Sequence, residues 1–341
     1  MRKIYSLIML AFILEFYSCG KNTVDNVNPP PPPPPPTNEP FIVYTAGYVF
    51  DGTISTATYW RNDTPVVLVP RAGTTDNSYA YSIAVSGEDV YVAGSNAGVA
   101  VYWKNGVQTP LPGGVLATSI AVSGGDVYIA GYELDAVNNV NVAVYWKNGS
   151  PVFLGDGINS SEANSIAISG SDVFLAGTVG RAAVYWKNGE VTPLTDGSDY
   201  TVASSIAVSG SDVYVAGSLN SSALYWKNGS PVPLTDGSTF SVASSIAING
   251  NDIYVSGGVG LDSAVYWKNG SIVSLNNRAK HSSATSIALS GSDVYMGGME
   301  SDNDFNFVAT VWKNGISSPV GTEDSLGYSY VFDIFVPARS N

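Results

Sequence analysis

The sequence contains one cysteine, Cys19, and one histidine, His281. A disulfide framework within the chain is excluded, and a zinc site built from His and Cys has too few ligands. Nucleophilic triads need a base. The single histidine sits between Lys280 and Ser282, with no motif around it that would orient an imidazole for proton transfer. No glycine-rich phosphate loop ending in Lys-Ser or Lys-Thr occurs. Positive charge is also scarce: 15 Lys and Arg stand against 28 Asp and Glu, a formal charge of −13. Such a field repels nucleic acid, and no local basic cluster offsets it. Helical patterning is nearly absent after residue 40, and the apolar run from Ile4 to Phe16 is too short to span a bilayer.

What the chain has in quantity is Gly (36), Tyr (21) and a repeated phrase. Ala183-Val184-Tyr185-Trp186-Lys187-Asn188-Gly189 has close copies ending at Trp103, Trp146, Trp226, Trp267 and Trp312, and a looser one at Trp60. These hold all seven tryptophans of the chain. Val, Tyr and Trp suit a pleated, half-buried strand, and Asn-Gly suits the two left-handed positions of a type I′ hairpin turn. Each unit of roughly 40 residues repeats one grammar. In the fifth, Ser205–Val208, Val213–Gly217, Ala223–Trp226 and Pro231–Leu234 read as four short strands joined by turns.

Four strands per unit, repeated radially, resembles a β-propeller over residues 41–341. The expected fold is all-β: a seven-bladed β-propeller of four-stranded antiparallel blades. Six units are complete. The N-terminal segment offers a second, third and fourth strand without a first, and Tyr330–Phe335 offers a strand with nothing after it. One blade shared between the N- and C-terminal segments leaves no open edge. Small Ala84, Ala121, Ala167, Ala207, Ala247 and Ala288 recur in the first strand, which is expected to line the axis. The tryptophans are expected to fill the widening gaps between sheets.

The first eighteen residues have a basic start, Met1-Arg2-Lys3, and then an apolar run of signal-peptide length. Ser18-Cys19 follows and resembles the cleavage site of a bacterial lipoprotein. That resemblance implies a signal peptide over 1–18 and lipid attachment at Cys19, with the chain held to the membrane by that lipid at the outer membrane or cell surface. Residues 19–40 read as a linker whose Pro29–Pro36 run forms a stiff polyproline II spacer.

A meandering blade places its first-to-second and third-to-fourth turns on one face. The turns there are uniform, and Asp89, Asp126, Asp172, Asp212, Asp252 and Asp293 are expected to pair across strands with Lys104, Lys147, Lys187, Lys227, Lys268 and Lys313. The opposite face carries the variable loops, where binding concentrates on a rigid scaffold. Tyr200, Phe240 and His281 fall at matching positions in three successive inter-blade loops, a candidate sector for stacking on a sugar or an apolar side chain. Tyr132, Phe305 and Phe307 in the other loop set extend it. Loop carboxylates Asp135, Glu162, Asp199, Asp262, Asp302 and Asp304 leave paired-acid chemistry open. Asp302-Asn303-Asp304 has part of a calcium loop, and no other cofactor or metal is expected.

These features are read as a monomeric, non-enzymatic binding or scaffold module of the cell envelope, holding a glycan or protein on the variable face. Two alternatives stay open: an envelope polysaccharide-acting enzyme using loop carboxylates, and a subunit of an envelope assembly complex.

Overall fold

The computed structural model describes residues 42–69, 75–260, 262–275, 281–301, 307–320 and 328–337. They form seven four-stranded antiparallel sheets arranged as a β-propeller. Cys19, the Pro29–Pro36 run, Phe305 and the Asp302-Asn303-Asp304 segment lie outside the described residues. The fifth blade shows the pattern: Thr201–Ser209 innermost, then Asp212–Leu219, Ser222–Lys227 and Ser230–Pro233 at the rim. Asn228 (φ 51°) and Gly229 (φ 83°) supply the consecutive left-handed residues of the outer hairpin.

The first blade closes the ring. Tyr328–Phe335 pairs antiparallel with Tyr44–Phe50, from Tyr44 opposite Phe335 to Phe50 opposite Tyr328. Every inner strand then touches the inner strands of both neighbouring blades, all the way round. Blades are also pinned together by hydroxyls. At the start of an inner strand, Ser78, Ser161, Thr201, Ser241, Ser282 or Ser329 accepts a bond of 2.8–3.0 Å from an alanine N–H in the preceding blade's third strand. At the second-to-third junction Gly114 stands instead, because a β-carbon there would run into Ala100 and Trp146.

The tryptophans lie between sheets as expected. All seven are essentially buried, and Trp146, for instance, packs with Ala93, Ala100 and Leu111 of the blade before it. The strand of the recurrent alanines is axial as expected, and Ala84, Ala121, Ala167, Ala207 and Ala247 pack into the cores between blades rather than into the axial cavity.

The cause is a bulge in every inner strand, seen as a register shift such as that between Ala203 and Ser205. The extra residue breaks the alternation, so Ser204 and Ser205 both reach the axial cavity. The bulge also explains the Ala-Gly pair of the second strand. A β-carbon at Gly217 would collide with the Val202 carbonyl oxygen displaced by the bulge and press on Trp226.

Candidate functional site

The uniform face is stitched by its own turns. In the fifth blade Asn228 Oδ1 accepts from the Val213 N–H at 2.9 Å, and Asn228 Nδ2 donates to Asp212 Oδ1 at 2.9 Å. Lys227 Nζ lies 2.8 Å from Asp212 Oδ2 and 5.2 Å from the centre of the Tyr214 ring. Lys227 and Asn228 hold the Asp212 carboxyl below its ordinary value, and Asp212 with Tyr214 pushes the Lys227 amine up to about 12. All six expected Asp–Lys pairs form, at 2.7–3.2 Å. The lysine charges on this face are therefore spent on local pairing.

The variable face is assembled differently. Backbone bonds from the second-to-third turns to the inter-blade residues, such as Asn220 N–H to the Tyr200 carbonyl and Gly260 N–H to the Phe240 carbonyl, place both loop sets together. Tyr200 is 65% exposed and Phe240 46% exposed. His281 is the first residue of the seventh blade's inner strand rather than a loop residue, and its Nδ1 pairs with Asp262 Oδ1 of the preceding blade. No ring-to-ring contact joins these three among the described residues.

Tyr132, expected in a loop, lies in a strand. Asp126–Asp135 and Val140–Lys147 extend the third blade's central hairpin outward. Tyr132 is thereby held in a strand near Glu162. Burial, then the Glu162 charge, pushes its phenol pKa up. Phe307 opens a third strand and meets Tyr328 edge-on, with centroids 6.3 Å apart.

Phe307 is one edge of a cluster that sequence reasoning missed. Tyr48 lies 5.2 Å from Tyr79, 6.1 Å from Tyr330 and 5.6 Å from Phe332, and Tyr81 lies 4.9 Å from Phe332. Phe50 and Tyr328 add a contact at 4.7 Å. Desolvation, then the neighbouring phenols, raises the Tyr48 pKa strongly. A usable signal existed: Tyr79-x-Tyr81 and Tyr328-x-Tyr330-x-Phe332 alternate along inner strands, and at the position of Tyr81 and Phe332 the other units carry Thr118, Asn164, Ser204, Ser244 and Thr285.

Across the axis from the first blade, between the fourth and fifth, lies a cavity of about 490 Å³ lined by Glu162, Asn164, Thr178, Tyr200, Thr201 and Ser204, with Ser160, Gly180 and Val202. Its walls are polar and carry no lysine or arginine. Asn164 and Ser204 also line the axial cavity, and so do Tyr81 and Phe332 of the aromatic cluster. One continuous surface therefore crosses the mouth of the ring, polar at one end and aromatic at the other.

Beneath it, the bulged strands present a ring of serines. Ser82, Ser119, Ser165 and Ser205 each accept from the isoleucine N–H of the next blade at 3.2–3.3 Å. In the closing blade the seventh position is Asp333. Its Oδ2 accepts from Ser82 Oγ and the Ile83 N–H, and its Oδ1 from Ser286 Oγ and the Ile334 N–H. Desolvation pushes its pKa up against the pull of these donors.

Two of the expected loop carboxylates, Asp135 and Glu162, lie in strands and are engaged locally. Asp135 accepts from the Val137 and Asn138 N–H groups, and Glu162 accepts from Asn141 Nδ2 at 2.7 Å. Among the described residues no group of three or more His, Cys, Asp or Glu is placed to hold a metal ion.

No family model matches this chain, and no curated protein matches it. Solved structures do. A puromycin hydrolase superposes with a TM-score of 0.54 at 11% identity, covering 82% of this chain and 52% of that one. A Mycobacterium tuberculosis puromycin-hydrolyzing peptidase gives 0.55 at 13% identity, covering 80% and 50%. The chain thus spans about half the length of these structures. At such identity the likeness is one of fold.

Proposed function

We propose that this chain is a lipid-anchored, monomeric protein of the bacterial cell envelope whose propeller is a non-enzymatic binding or scaffold module. In this reading Cys19 carries the lipid, residues 19–40 hold the propeller away from the membrane, and the ligand, a glycan or a protein, sits on the variable face. The observation that carries it is the difference between the two faces. The uniform face satisfies its charges within each blade, whereas the variable face gathers partly exposed aromatic rings and a polar cavity into one surface. Exposed rings and unspent polar groups converging on a concave surface are what a ligand site requires.

The test is site-specific photo-crosslinking in the full chain within intact envelopes. A photoreactive residue at Tyr200 reports the variable face, and one at Ser211 reports the uniform face. Adducts from Tyr200 and none from Ser211 are expected. Adducts from Ser211 alone would overturn the choice of face and favour an assembly subunit docked through its regular turns.

A further inference from the structure

Resting on that reading of the variable face, we infer that its ligand is an uncharged, linear oligosaccharide of several units, laid across the mouth of the ring. One end would enter the cavity between the fourth and fifth blades, and the other would stack on the aromatic cluster of the first.

The cavity wall supplies the chemistry a saccharide needs. Sugar hydroxyls are paired donors and acceptors, and they are held by side chains with acceptors to spare. Asn164 Nδ2 donates to the Ala203 carbonyl at 3.0 Å, which fixes the orientation of an amide that lines both cavities. Glu162 is oriented by Asn141 through Oε1. Tyr200 stands at the lip, 65% exposed, with a ring face broad enough for the apolar side of a pyranose. At about 490 Å³ the cavity falls within the range of small-ligand sites.

Charge selects within that class. The surface from the cavity to the aromatic end has no lysine or arginine among its lining residues, and its two carboxylates, Glu162 and Asp333, already accept hydrogen bonds from Asn141, Ser82 and Ser286. Sulfated or uronic chains would meet a chain of formal charge −13 with no local cation to offset it. An extended peptide is disfavoured for a separate reason. Strand addition needs unpaired backbone groups, and the axial N–H groups of Ile120, Ile166, Ile206 and Ile246 are already bonded to serine hydroxyls of the neighbouring blade.

Length is selected by distance. The polar cavity and the aromatic cluster lie on opposite sides of the axis, linked by Asn164 and Ser204 on one side and Tyr81 and Phe332 on the other. A single sugar reaches one end only.

The experiment is calorimetry and saturation-transfer NMR on the full chain. The probes are neutral linear oligosaccharides of glucose, mannose, galactose and N-acetylglucosamine, from one to six units, beside uronic and sulfated counterparts. At least one neutral series should bind, with affinity rising tenfold or more between one and four units. Tyr200→Ala should weaken every length at least tenfold while the melting temperature holds, since the ring is exposed. Tyr328→Ala should weaken the four-unit ligand and leave the two-unit ligand unchanged.

Absence of binding across the neutral series would overturn the inference, as would preference for the acidic series or unaltered binding by Tyr200→Ala. If the array is blank while Tyr200 crosslinks a protein in envelopes, the ligand class fails and the variable-face reading stands. If crosslinks arise only from Ser211, both fail.

Discussion

The two faces of the ring are made by the same strands and differ in every other respect. On the uniform face, one blade predicts the next: Asp–Lys pair, Asn bridge, ring under the ammonium. On the variable face the blades part company. The first and second contribute Tyr48, Tyr79, Tyr81 and Phe332, the fourth and fifth a polar cavity, and the third an elongated hairpin. The contrast shows how a repeat scaffold divides labour. Turn chemistry that must close the hairpins in the six blades built from consecutive strands is held to one solution. Only the connections free of that duty are available to diverge.

The largest effect in this comparison should come from breaking the ring itself. Residues 328–341 include the inner strand of the first blade, with Val331, Ile334 and Val336 buried, and carry Tyr328, Tyr330 and Phe332 of the aromatic cluster. Their deletion strips the Tyr44–Phe50 edge of its hydrogen-bonded partner and should remove more than the roughly 5–15 kcal/mol that holds a typical domain. The expected outcome is loss of a cooperative thermal transition for the whole propeller. A truncated chain that melts as the full chain does would show that closure contributes nothing.

A smaller effect is expected at Asp333. Asp333→Ala leaves the Ile83 N–H and the Ser82 and Ser286 hydroxyls without their acceptor, a loss of about 2–4 kcal/mol by denaturant unfolding. The pH dependence sharpens the contrast between axis and uniform face. The Asp333 pKa is raised by folding, so its contribution is fully present below the ordinary carboxylate range and declines as pH rises through the folded value. The gap between wild type and Asp333→Ala should therefore narrow as pH rises from about 4 to 7. The lowered Asp212 carboxyl behaves oppositely, its contribution being present above the ordinary value and lost as pH falls through the folded one. A gap that widened with pH would mean that the hydrogen bonds outweigh desolvation at Asp333.

The smallest effect belongs to the uniform face. Lys187 pairs with Asp172 at 2.9 Å, but both side chains remain open to solvent, which screens the pair. Lys187→Ala should leave the melting temperature unchanged within error. A clear drop would show that the ring of pairs acts as a network.

Much of this was legible from residues alone. Strand and turn chemistry within each unit, the count of seven tryptophans, and the incomplete ends fixed the blade number and the shared blade. Each of those signals is local, or a comparison of one unit with another. Phe307 was named as a site residue and does join the aromatic cluster; Tyr132 and Tyr200 lie on the variable face, Tyr200 at the polar cavity itself. Tyr200, Phe240 and His281, by contrast, share a register, but no ring-to-ring contact joins them among the described residues, and His281 pairs with Asp262.

The repeat by itself determined the propeller, its closure and which face is uniform, since hydrogen-bonded turns and apolar alternation are written over a few consecutive residues. Only the tertiary structure decided that a bulge turns two residues per blade toward the axis, that Asp333 takes the seventh place in a ring of serines, and that rings from both ends of the chain meet at one side of the mouth. Those outcomes depend on which blades closure makes neighbours, and a linear sequence does not carry that adjacency.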